Sequence, residues 1–335
     1  MLAQSRVQDR AVPERPAQLG KRLRALAELG KASLTALVLL TVLTGFVLAS
    51  TEPIDWLVLV WTLLGTGLSA AGANGLNQYM ERQTDRRMAR TRGRPLPNGR
   101  LRPREALAWS LLLAVAGPLV LASQVNPLAT GLTVTAEAVY LCVYTPLKTR
   151  TSLCTLAGAV CGAAGPMIGW AAAAGRLEAG AWILAAVLFV WQVPHFLALG
   201  WVHRGDYARA GIRVLPVLDR SGRATCVAIV LYSLALLPVG LTATLCGMAG
   251  LAFAVGSAVL GTALLGLGLQ LYVFPNVRYA HRVFVASVVY LPLLLGLMMA
   301  DRGPMDSHIP EASRAVATDN TRSQQGELDT IHSWL

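Results

Sequence analysis

The sequence predicts an all-α membrane protein, a bundle of nine transmembrane helices with a cytoplasmic N-terminus and an external C-terminus. Three observations carry that expectation. The 335 residues are 54% hydrophobic and 14% charged, with a mean hydropathy of +0.51; an ordinary soluble domain carries about 25% charged residues. Nine runs of 17 or more mostly apolar residues are present, and about 20 such residues cross the bilayer core. Finally, 25 of the 29 Lys and Arg fall in alternate inter-span segments, the asymmetry expected when basic loops stay on the cytoplasmic side. This composition excludes a disordered chain, a collagen and a secreted disulfide scaffold. The net charge of +11 points to a basic membrane surface and not to nucleic acid.

The predicted spans are Leu34–Ser50, Trp56–Leu76, Ala106–Ser123, Leu128–Thr145, Leu153–Ala174, Ala181–Val202, Thr225–Cys246, Ala249–Val273 and Val283–Ala300. Residues 1–30 read as a basic cytoplasmic arm with a short amphipathic helix around Leu19–Leu29. Residues 31–300 form the nine-helix domain, and 301–335 a polar, mobile external tail. The first span does not read as a signal peptide, because its charged leader exceeds 30 residues and further spans follow. Outward connections such as Gln124–Pro127 are very short, whereas the inward loops after spans two and six are long. The polar mass, and any chemistry, is therefore expected on the cytoplasmic side. Cys142, Cys154, Cys161, Cys226 and Cys246 lie in or at the spans without a CxxC pair and read as small packing residues.

Asn77, Glu81 and Asp85 follow span two at i, i+4 and i+8, which stacks them on one helix face. Two carboxylates and an amide oxygen are hard ligands of the kind Mg²⁺ takes together with water and substrate phosphate. Arg86, Arg87, Arg90, Arg92 and Arg94 come next and could balance phosphate charge from the other side. A solvated helix end carrying a topology-anchoring basic loop would show the same pattern. His195, after Pro194 inside span six, is a functional candidate because titratable groups within membrane helices are costly; a neutral imidazole bonded to a neighbouring helix is the plain alternative. Glu137, in mid-span four, costs about 2.5–3.5 kcal/mol on insertion scales and should face the bundle interior, protonated or paired. No motif contains it.

The stretch NQYMERQTDRRMARTRGRPLPNGRL at 77–101 resembles the first signature of the UbiA-type intramembrane prenyltransferases, most closely their protoheme IX farnesyltransferase (haem O synthase) branch. Further matches follow in order: YTPLKTRTSL at 144–153, GAVCGAAGPMIGW at 158–170, WQVPHFLALGWVHRGDYARAGIRVLPV at 191–217 and RVFVASVVYLPLLL at 282–295. The chain departs from the family pattern in having Glu81 where Asp is usual, no Pro-Arg after Lys31, Cys154 where relatives carry Asn, and a single carboxylate, Asp206, in the second acidic motif.

The resemblance implies transfer of a farnesyl group from farnesyl diphosphate to a vinyl group of haem b, completed by addition of water, for haem-copper terminal oxidases. It implies Mg²⁺ held by Asn77, Glu81, Asp85 and Asp206. Arg90, Arg94 and Lys148 would meet the diphosphate, Tyr207 would stand beside Asp206, and His195 would lie near the porphyrin as iron ligand, propionate contact or proton carrier. Trp170, Trp191, Phe196 and Trp201 are candidate walls for the allyl cation. The implied setting is a bacterial inner membrane with a cytoplasmic active site and the lipid bilayer around it; a haem A synthase or oxidase assembly proteins are candidate partners. Two other readings stay open, a related enzyme with a quinone-precursor or chlorophyll-type acceptor and a nine-helix transporter.

Overall fold

The computed structural model describes residues 15–50 and 53–303; the first half of the expected N-terminal arm and nearly all of the expected C-terminal tail lie outside them. Among the described residues there are no strands, only an isolated bridge between Ala249 and Arg302. Nine helices are long and apolar enough to cross a membrane. They are α2 (Ala32–Ala49), α3 (Trp56–Met80), α5 (Pro103–Gln124), α6 (Pro127–Ala138, continued through a π segment, Val139–Tyr144, into α7, Thr145–Leu147), α8 (Cys154–Ala174), α9 (Ala179–Val202), α12 (Arg223–Leu245), α13 (Leu251–Val273) and α14 (Val277–Ala300). Short helices α1 (Arg15–Leu29), α4 (Arg82–Arg86), α10 (Arg204–Arg209) and α11 (Leu215–Leu218) lie outside the spans.

Every expected span is present, and most ends agree within three residues. Two differ more. α3 runs on to Met80 and α14 starts at Val277, six residues before the apolar run, because Asn276 caps its first turn by accepting the Tyr279 N–H at 3.1 Å. The amphipathic helix expected at Leu19–Leu29 begins at Arg15.

α8 and α9 are the most enclosed spans. α8 lies against α2, α6 and α9, while α9 also meets α12 and α14. The α2–α8 approach depends on glycine. A Cβ on Gly45 would meet the Pro166 carbonyl oxygen at 2.1 Å, and one on Gly169 would meet the Val42 oxygen at 1.9 Å. Membrane helices gain no hydrophobic drive from neighbours that are as apolar as lipid, so close backbone packing through small residues does this work. The expectation that tryptophans wall the cavity is corrected here: Trp170, Trp191 and Trp201 are buried in the bundle's main apolar core, and of the four candidates only Phe196 lines the cavity.

Gly169→Ala is expected to destabilise the bundle by about 2 kcal/mol or more, since the neighbouring atom is backbone. Gly131→Ala, which meets nothing within 4 Å, should stabilise it by about 0.5–1 kcal/mol. Thermal unfolding in detergent checks both.

Candidate active site

The charged loops converge on one end of the bundle, and a cavity of about 520 Å³ opens there between α2, α3, α6, α8 and α9. Asn77, Glu81, Asp85, Arg90, Arg94, Lys148, His195 and Tyr207 all line it. The acidic stripe does not lie on one unbroken helix. α3 stops at Met80 and Glu81 takes a bridging conformation (φ −88°, ψ 4°) before α4. The Glu81 N–H still donates to the Asn77 carbonyl at 2.9 Å, and the Asp85 N–H to the Glu81 carbonyl at 2.8 Å. The one-turn spacing therefore survives the joint, and the three side chains reach the same cavity.

Each is already met by a cation. Lys148 Nζ lies 2.7 Å from Glu81 Oε1 and Arg94 Nη1 2.8 Å from Asp85 Oδ2, while Lys31 Nζ donates to Asn77 Oδ1 at 2.9 Å. Asp85 is buried, and its Oδ1 has no hydrogen-bond partner among the described residues. An orphaned carboxylate oxygen in a set of hard oxygen donors fits a divalent cation. No three His, Cys, Asp or Glu side chains converge among the described residues, so any Mg²⁺ there would complete its shell with waters and ligand oxygens, as that ion usually does.

Burial alone would depress the Lys148 ammonium. The Tyr144 ring under it (4.4 Å), the Glu81 carboxylate and Tyr140 outweigh that, and its pKa lies above the ordinary lysine value. Its place is fixed from behind, since its carbonyl accepts the Arg213 N–H at 2.7 Å.

Asp206 stands elsewhere than expected. It is absent from the cavity lining. Its carboxylate faces the backbone N–H groups of Ala89 and Arg90 and pairs with Arg209. Partial burial opposes its charge, but these donors prevail and hold its pKa below the usual carboxylate range. Asp206 thus pins the loop that presents Arg90, whose Nη2 donates to the Tyr207 hydroxyl at 3.4 Å. The sequence placed it across the cavity because spacing cannot show that two backbone donors claim its oxygens.

His195 is held on three sides. Its ring stacks on Trp191 at 5.0 Å and packs on Phe284 at 5.2 Å. Its Nδ1 lies 2.9 Å from Ser287 Oγ, and that hydroxyl donates to the Phe284 carbonyl at 2.6 Å. With the hydroxyl proton so committed, Nδ1 is the donor and Nε2 keeps its lone pair.

Lys31 was missed as a site residue. A lysine at the start of a span reads as an interfacial anchor, but this one is turned inward. It is the only non-glycine residue with positive φ among those described (φ 50°), and such strain gathers at functional sites. Burial, then the charges of Lys148 and Arg94, pull its pKa down to about 7, against the pull of Glu81 and Asp85. Tyr140 was missed as well. The π segment sets it parallel to Tyr144 at 5.4 Å, and its hydroxyl accepts from Lys31 at 3.4 Å and donates to Asn74 Oδ1 at 3.3 Å. Pi turns recur at functional sites, yet no residue pattern announces one.

Known proteins match most of the chain. The model of the UbiA prenyltransferase family matches residues 38–293. A protoheme IX farnesyltransferase from Solibacter usitatus is 43% identical over 289 residues, which cover 84% of this chain and 99% of that protein. Among solved structures, a digeranylgeranylglyceryl phosphate synthase superposes with a TM-score of 0.71 at 16% identity, over 84% of this chain and 98% of that one. A UbiA homologue from Archaeoglobus fulgidus bound to DMAPP and Mg²⁺ superposes with a TM-score of 0.64 at 15% identity, over 82% and 98%. At these identities the structural matches speak to the fold.

Lys31→Gly removes both the strained backbone and the inward charge. It is expected to raise stability by about 1 kcal/mol and to weaken binding of inorganic diphosphate about tenfold. Thermal unfolding and titration calorimetry on the same preparation check the pair.

Proposed function

The chain belongs to the UbiA prenyltransferase family, and on that premise we propose that it moves a farnesyl group from farnesyl diphosphate to a vinyl group of haem b, giving haem O. The name shared by its 36–43% identical relatives supports this acceptor and donor. The observation that carries the reaction class is the mouth of the cavity, where Lys31, Lys148, Arg90 and Arg94 face Glu81 and Asp85.

Asn77, Glu81 and Asp85 would hold Mg²⁺, whose charge would draw electrons from the diphosphate. Lys148 and Arg94 exchange their carboxylate partners for diphosphate oxygens and, with Arg90, neutralise the charge that builds as the C1–O bond breaks. Such preorganised electrostatics is the largest contribution available to a site of this kind. Phe196 and Leu199, below the mouth, and Ile212 beside it keep water from the allyl cation. The terminal vinyl carbon bonds to C1, and water adds at the inner vinyl carbon and loses a proton. His195, with Nδ1 tied to Ser287, presents the Nε2 lone pair to the porphyrin iron.

The charge bias of the loops supports a mouth on the cytoplasmic side, and a bacterial inner membrane is the setting that the family resemblance implies. A haem A synthase or oxidase assembly proteins are the partners this product calls for.

Purified chain in lipid nanodiscs, given haem b and farnesyl diphosphate, is expected to form haem O by mass only when Mg²⁺ is present. Glu81→Gln combined with Asp85→Asn should lower turnover about 100-fold or more without loss of membrane insertion. Consumption of a quinone precursor with haem b untouched would overturn the acceptor, and Mg²⁺-independent turnover would overturn the metal role.

A further inference from the structure

We propose that Glu137, paired with Ser69, forms a polar floor to the mouth half of the cavity, one turn short of its inner end at Thr66 and Thr133, that measures the prenyl chain and selects a fifteen-carbon donor. The inference rests on the prenyl-transfer reading and concerns a residue to which the chemistry above gives no part.

Glu137 lies in α6 on the face it shares with Thr133 and Tyr140, and all three line the cavity. Its carboxyl group accepts the hydroxyl of Ser69, which is buried in α3. One turn deeper in α3, Thr66 also lines the cavity, and its hydroxyl is buried with no hydrogen-bond partner among the described residues. Between this pair and the mouth the wall carries the apolar side chains of Leu34, Val38, Ala70 and Ala73, and the polar Asn74 and Tyr140 there are hydrogen-bonded to each other. An acid at this depth of a membrane bundle is costly, and apolar methyl groups driven against it would strip polar groups of whatever solvates them.

The depth of the floor follows from α3. Asn77 at the mouth and Ser69 at the floor are eight residues apart, which at the helical rise is about 12 Å. A zigzag chain gains about 1.2 Å per bond, so the eleven main-chain bonds of a farnesyl group span about 13 Å. A geranyl group, with seven bonds, stops at about 8 Å, and a geranylgeranyl group, with fifteen, needs about 18 Å on the same measure. With the diphosphate held at the mouth, the farnesyl tail ends at the Glu137–Ser69 pair. A twenty-carbon tail has to pass it and end beside the Thr66 hydroxyl.

The test is competition between ten-, fifteen- and twenty-carbon diphosphates for haem b, read as product masses, in the wild type, Glu137→Leu and Ala70→Phe. Glu137→Leu makes the floor apolar and should raise the yield from the twenty-carbon donor relative to the fifteen-carbon one about tenfold. Ala70→Phe raises the floor and should shift preference towards the ten-carbon donor by a similar factor. A variant that merely loosened the fold would lower all three products together. Unchanged product ratios in either variant that still turns over would overturn the measuring role while leaving prenyl transfer intact. Failure of the wild type to use any prenyl diphosphate would overturn the reading beneath it.

Discussion

The structure depends on an imbalance of charge at one end of a membrane bundle. Three cationic side chains, Lys148, Arg90 and Arg94, joined by Lys31 whose charge burial weakens, face two carboxylates, Glu81 and Asp85, around a partly enclosed mouth. In a medium of low effective dielectric, charges are tolerated only when paired and hydrogen-bonded. The two ion pairs and the Lys31–Asn77 bond meet part of that requirement. The remaining positive charge, together with the orphaned Asp85 oxygen, leaves a site that a bare metal ion would burden further and that a metal bound to a polyanion would balance.

The scaffold keeps these groups in place. Asn77 donates to the Thr145 hydroxyl, which donates to the Tyr140 carbonyl, and the Tyr140 hydroxyl donates to Asn74; this chain ties α3 to the π segment and the start of α7, so α3 cannot rotate without breaking it. Asp206 secures the loop bearing Arg90, and Arg213 secures Lys148. On the other side of the cavity, the Trp191 indole donates to the Ser287 carbonyl at 2.9 Å while Ser287 Oγ meets His195. One residue of α14 thereby sets both the tryptophan and the imidazole that stacks on it. The glycine contacts between α2 and α8 give the wall against which these elements are aligned.

Much of this was legible in the residues because membranes impose simple rules. Runs of about 20 apolar residues must be helices there, and basic loops sort to one side. The spacing of Asn77, Glu81 and Asp85 survived because the hydrogen bonds across the Glu81 joint keep a helical turn. What stayed hidden depends on backbone angles and on competition for donors. The positive φ of Lys31 and the π turn before Thr145 leave no trace in composition. Trp170 and Trp201 fit a cavity wall by type alone, yet the bundle uses both as core. Glu137 was rightly expected to face inward, and its partner Ser69 could be found only once α3 and α6 were set side by side.

The most direct test of the charge imbalance is Mn²⁺ binding, followed by electron paramagnetic resonance, to the purified chain with and without a non-reactive farnesyl thiolodiphosphate. Tight binding only when the diphosphate analogue is present is the expected result, because the carboxylates are otherwise held by lysine and arginine. Equally tight Mn²⁺ binding without any diphosphate would contradict it.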